Sequence, residues 1–93
     1  MSITRAVDGK QETLSGRCSH LGEGGLGAVL AGELPLGETV ALEFTLPGHR
    51  EAMRMRAAVR HRHGFHHGFE FLTLGLAQLE NIRKASRILP PAE

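Results

Sequence analysis

Apolar and polar residues alternate most cleanly between Glu38 and Leu46, where Val40, Leu42, Phe44 and Leu46 fall on one side and Ala41, Glu43 and Thr45 on the other. A period of two belongs to a strand with one buried face. The same period returns after the turn residues Pro47-Gly48: Met53, Met55, Ala57 and Val59 share one face, and Arg54, Arg56, Ala58, Arg60 and Arg62 share the other. Pairing the two strands antiparallel with Leu46 opposite Met53 sets Glu43 beside Arg56, a single cross-strand charge pair. Gly64-Phe65 then turns the chain into a run from His66 to Leu72, with Phe69 and Phe71 on one face and Glu70 on the other. Towards the N-terminus, Ile3 to Val7 and Glu12 to Leu21 flank Asp8-Gly9, a pair that readily takes the positive-φ positions of a tight hairpin. Leu26 to Ala31 is a short apolar run closed by Pro35 and Gly37, which suits a buried strand.

The period changes after Gly75. Leu76, Leu79, Ile82, Arg83, Ala85 and Ile88 recur at helical spacing before Pro90-Pro91, predicting one helix from about Leu76 to Ile88. Its Leu76, Leu79 and Ile82 stripe is expected to face the core and cap one end of the fold, and the tail from Pro91 to Glu93 to fray. Six short strands followed by one helix predict an all-β fold with one C-terminal helix. Its expected form is a small six-stranded antiparallel β-barrel, because closing the sheet removes edges that a short chain could not cover.

At 93 residues the chain has room for one core, so residues 1–93 are expected to form a single domain. Hydrophobic residues at 41% make it too apolar for a disordered chain. A formal net charge of +1 gives no global attraction to nucleic acid or to an anionic membrane. Cys18 is the only cysteine, which excludes an internal disulfide and a zinc site built on paired thiolates and suits a reducing compartment. No stretch has signal-peptide character or approaches the ~20 apolar residues of a membrane span, so a cytoplasmic location without membrane insertion is expected. Four phenylalanines without tryptophan or tyrosine leave few surfaces for stacking single-stranded bases.

Three stretches carry candidate chemistry. Arg54, Arg56, Arg60 and Arg62 form a basic stripe that could meet phosphates, although the wet face of a sheet is the simpler reading and Glu43 offsets part of it. The sequence HRHGFHH places His61 and His63 on one strand face with His66 opposite His63. Solvated histidines at a hairpin tip are expected there, with no metal and no cofactor. Cys18 and His20 share a strand face in this reading but have no orienting acid, so a core thiol is expected in place of a nucleophile. No catalytic residues are assigned and the chain is not expected to be an enzyme.

The glycine-rich stretch CSHLGEGGLGAVLAGELPLG could cradle a phosphate or turn the chain. A phosphate loop needs a lysine and a serine or threonine after its last glycine, and a dinucleotide fingerprint needs a helix to follow; Gly27 is followed by Ala-Val-Leu-Ala. Turn chemistry is therefore expected, with Gly25 needed for folding through a positive φ.

The order of these segments, with HLGEGGLG between two strands, then LPLGETVALEFTLP, AAVRHR, HGFEF and a helix, resembles the PilZ domain, the bacterial receptor family for cyclic di-GMP. The resemblance covers about Leu14 to Arg87. Members carry an Arg-x-x-x-Arg pair before the first strand and an (Asp/Asn)-x-Ser-x-x-Gly motif at the end of the second. Carried over, the second motif falls on His20, Gly22 and Gly25, and only the last glycine matches. The first has no counterpart: Arg5 is the only arginine before Arg17, and four residues on stands Gly9. The resemblance implies a regulatory module of the cyclic di-GMP type with a degenerate ligand motif at Arg5, His20, Gly22 and Gly25. Binding of the nucleotide is expected to be weak or lost, because the bidentate arginines and the serine hydroxyl are missing. A protein partner is expected, an adaptor acting only through protein contacts is the alternative, and nucleic acid comes last.

Overall fold

The computed structural model describes residues 1–46 and 48–86. Six strands, β1 (Ser2–Val7), β2 (Lys10–Leu21), β3 (Gly25–Leu30), β4 (Thr39–Thr45), β5 (Ala52–His63) and β6 (His66–Phe71), are followed by the helix α1 (Leu76–Ser86). All strand pairs are antiparallel, and the order β1-β2-β3-β6-β5-β4 closes into a barrel, as the alternation predicts. The first turn follows its local chemistry. Val7 pairs with Lys10, and Asp8 and Gly9 take φ values of 50° and 78°, the two left-handed positions of a two-residue hairpin loop.

The core forms where the period-two patterns meet. Ile3, Leu26, Leu42, Val59 and Phe69 are almost wholly enclosed, and Phe44 stacks on Phe71 with ring centroids 6.5 Å apart. The two ends of the barrel are sealed differently. At the β2–β3 turn end, α1 brings Ile82 and Ala85 into the core cluster. Gly75 precedes the helix, and its N–H donates to Oε1 of Gln78 at 3.0 Å, a side chain reaching back as in a capping box. At the opposite end, the loop between β3 and β4 inserts Leu34, which is fully buried. The N–H of Leu34 donates to Nε2 of His67 at 2.9 Å, and Nδ1 of the same ring bonds the carbonyl of Phe65, also at 2.9 Å.

Several expectations are corrected. The β4–β5 register pairs Glu43 with Arg54 and Phe44 with Met53, not Glu43 with Arg56. Leu46 leaves the strand and turns into the core, so the last rung falls at Thr45 and Ala52. The same side chains stay inside, because the pairing differs by an even number of residues. In α1, Ile82 is buried and Leu79 half-buried as expected, whereas Leu76 is exposed at the first helical position. The expected continuation to Ile88, the Pro90-Pro91 stop and the tail lie outside the described residues, as does Pro47. His67 is no solvated histidine, since the hairpin geometry turns it into the barrel beneath the Leu34 loop.

Candidate functional site

A pair of β-bulges builds the most distinctive feature of the outer surface. In β2 the register against β3 shifts between Cys18 and His20: Cys18 pairs with Ala28 and His20 with Gly27, leaving Ser19 as the extra residue. In β5 the register against β6 shifts between Val59 and His61, leaving Arg60 extra, with Val59 opposite Phe69 and His61 opposite Gly68. An extra residue reverses which way the following side chains point. Cys18 therefore packs against the core while His20 turns outward, so the two do not share a face as the unbroken alternation suggests. Likewise His61 points outward and Arg62, opposite the buried His67, turns to the barrel rim near the carbonyl of Leu34.

Gly27 and Gly68 are themselves partners across β3 and β6. One row across four strands thus reads His20, Gly27, Gly68, His61. A Cβ built on Gly27 would overlap Cε1 of His20, and one on Gly68 would stand 3.1 Å from Cβ of His61. Both side chains fold closely over strand glycines, the approach that glycine inside a strand permits. The open groove along this row has a volume of about 360 Å³ and is lined by His20, Gly22, Gly24, Gly25, Arg60, His61 and Glu70 among others. The turn at its edge is held by a bond from the Gly22 N–H to the Gly25 carbonyl, 2.9 Å, and by one from the Phe71 N–H to the Gly24 carbonyl, 2.9 Å. Glu23 in this turn accepts a charge-assisted bond from Arg83 of α1 at 2.8 Å.

The glycine stretch is thus both a turn and a floor. None of Gly22, Gly24, Gly25 and Gly27 has a positive φ, which among the described glycines belongs to Gly9, Gly37, Gly48 and Gly64. Gly25 is required for a different reason from the expected one. A Cβ there would overlap the carbonyl oxygen of Phe69 in the neighbouring strand.

The structure brings His20, Gly22 and Gly25 together in the groove and sets Arg5 elsewhere. Arg5 stands on β1, where its Nη2 donates to Oε1 of Glu38 at 2.6 Å and its Nη1 lies 3.8 Å from Glu12. The groove also takes in Arg60, His61 and Glu70, which the sequence reading did not place at this site; the glycines inside strand patterns at 27 and 68 were the signal. Arg60 is not a free cation. Its Nε and Nη2 lie 3.0 and 2.9 Å from Oε1 of Glu70. Arg54 pairs with Glu43 at 3.4 Å and Arg62 approaches Glu33 at 4.0 Å, so the expected basic stripe is largely matched by acids and broken by the bulge. The Cys18 thiol is pushed above its ordinary value of 9.0, chiefly by burial, with a backbone hydrogen bond at His20 acting in the opposite direction. Among the described residues no three metal-ligating side chains stand close enough to hold an ion, and no helix is long and apolar enough to cross a membrane.

Neither the comparison with curated proteins nor that with solved structures returns a match. The comparison with protein families does: the PilZ domain model matches residues 1–87. That match spans every strand of the closed barrel, both bulges, the glycine-floored groove and the helix that seals it. The chain belongs to the PilZ domain family, regulatory modules of the cyclic di-GMP type.

Proposed function

We propose that this chain is a regulatory module of bacterial cyclic di-GMP signalling in which the groove, by itself, holds the nucleotide weakly or not at all, and that its output passes through a protein partner in the cytoplasm. One observation carries the reading. The arginine in the groove, Arg60, is already bridged to Glu70, and Arg5 is tied to Glu38 on another face. A ligand with two phosphates needs guanidinium forks free to take them, and a fork that must first release a carboxylate is a weaker partner. Gly22 offers no hydroxyl where the family motif has serine, and His20 stands at the motif's Asp/Asn position.

The adaptor reading, in which the nucleotide is not used, draws on the same charge matching. The two separate in calorimetry of the chain with cyclic di-GMP, repeated with an N-terminal extension bearing Arg-x-x-x-Arg. Binding that becomes measurable only with the extension supports the signalling module, and no heat in either case supports the adaptor. Micromolar or tighter binding by the unmodified chain overturns both.

A further inference from the structure

We infer that His67 is an acid-sensitive latch on the end of the barrel opposite α1: its neutral ring holds the Leu34 plug in place, and a proton taken up on Nε2 releases it. The inference is independent of what the groove binds.

One ring nitrogen sets the latch. His67 is 2% exposed, and its Nε2 accepts the Leu34 N–H at 2.9 Å, so that nitrogen carries no hydrogen. Nδ1 donates to the Phe65 carbonyl, a bond available to the ring in either charge state. A proton on Nε2 turns the acceptor into a donor aimed at another donor, and the Leu34 N–H has to leave. The surroundings offer the imidazolium no anion. Cys18, Ala28, His67 and Arg62 pair in turn across β2, β3, β6 and β5, so one strand neighbour is uncharged and the other is a cation. Burial raises the pKa of the Cys18 thiol and keeps it neutral. The two carboxylates of the plug loop already have partners, Glu33 at 4.0 Å from Arg62 and Glu38 at 2.6 Å from Arg5 of β1. The N-terminal ammonium, bonded to the Gly16 carbonyl at 3.1 Å, adds one more positive charge at this end. A buried cation without a counter-charge is costly, which favours the state with the plug out.

The released segment is short and lies between fixed points. The Ala31 N–H donates to the Ser15 carbonyl at 3.1 Å and the Gly37 N–H to the Val59 carbonyl at 2.7 Å, which pins the loop at both ends. Between these points Leu34 has the His67 bond and a longer one, 3.4 Å, from Nη1 of Arg62 to its carbonyl. Gly32 and Gly37, the latter at a φ of 85°, flank the plug with backbones free to hinge. Leu34 can therefore leave without any strand pair breaking. Its exit uncovers a fully buried apolar side chain beside Leu36, which is already 61% exposed. Sealed at neutral pH and open in acid, this end of the barrel is a two-state element biased by one proton.

Nuclear magnetic resonance of the full chain tests this between about pH 8 and about pH 5, the range in which histidine charge changes. At the upper end the His67 ring should carry its proton on Nδ1. As the ring protonates, hydrogen-exchange protection of the Leu34 amide, taken relative to the free-peptide rate at each pH, should fall by about tenfold or more while the β4 amides keep theirs. His67→Gln, whose side-chain oxygen accepts the Leu34 N–H without titrating, should hold Leu34 protection level across the range. Glu33→Gln and Glu38→Gln should leave the parent's response in place. Unchanged Leu34 protection while the ring protonates, loss of Leu34 and β4 protection together, the same response in His67→Gln, or its disappearance in either glutamate variant overturns the latch. Should His67→Gln not fold, the parent's ring titration set against its Leu34 protection decides alone.

Discussion

The buried ring of His67 accepts the Leu34 N–H at 2.9 Å and so ties the loop that plugs one end of the barrel to β6. Because Nε2 accepts, Nδ1 carries the proton that is donated to the Phe65 carbonyl at 2.9 Å. The Leu34 N–H depends on this ring, whereas the Phe65 carbonyl also accepts from the Leu30 N–H at 2.9 Å. His67→Phe keeps a ring of similar shape but strands the Leu34 N–H. At about 1–3 kcal/mol for an unsatisfied buried group, the loss should be about 2 kcal/mol, and His67→Gln, whose side-chain oxygen can accept that bond, should lose less. Urea denaturation of the two variants measures the difference.

Gly25 and Gly24 are neighbours with opposite expectations. A side chain at Gly25 meets the Phe69 carbonyl, whereas a Cβ at Gly24 meets nothing within 4 Å. Gly25→Ala should destabilise the barrel by about 2 kcal/mol, as overpacking does, and Gly24→Ala should stay within about 0.5 kcal/mol of the parent. Equal melting temperatures for the two variants would show that the β3–β6 approach is looser than described.

Cys18 should be a slow thiol. Burial raises its pKa, so at a given pH less thiolate is present than in a free cysteine. Its reaction with a disulfide reagent should be slow in the native protein and quicken on unfolding. Since the folded value lies above the unfolded one, this group's contribution to stability is complete below its ordinary value of 9.0 and declines as pH rises through the folded value. Denaturation midpoints of the parent and Cys18→Ala, compared between neutral and strongly alkaline pH, check the sign.

Duplex DNA should bind poorly. Arg54, Arg60 and Arg62 each have an acidic neighbour, and Arg62 has left the stripe. A dissociation constant of about 10⁻⁵ M or weaker at physiological salt, with steep salt dependence, is expected from fluorescence anisotropy. Sub-micromolar, sequence-specific binding would make the outer face of β5 the functional surface.

Legible from the chain alone were the six strands, the inward set Val40, Leu42, Phe44, Met55 and Val59, the Asp8-Gly9 turn and the start of the helix. Each depends on residues a few positions apart: side-chain alternation, the φ preferences of Asp and Gly, and the switch to helical spacing after Gly75. The tertiary structure alone decided the rest. Whether β2 and β5 carry an extra residue at Ser19 and Arg60 depends on what lies across β3 and β6, and no local pattern marks it. Those two residues turn His20 and His61 onto one outer row, send Arg62 to the rim and, with Gly27 and Gly68 between them, make the groove. His67 likewise reads as one histidine among several in HRHGFHH, and only the Leu34 loop, 33 residues earlier, gives it a reason to be buried.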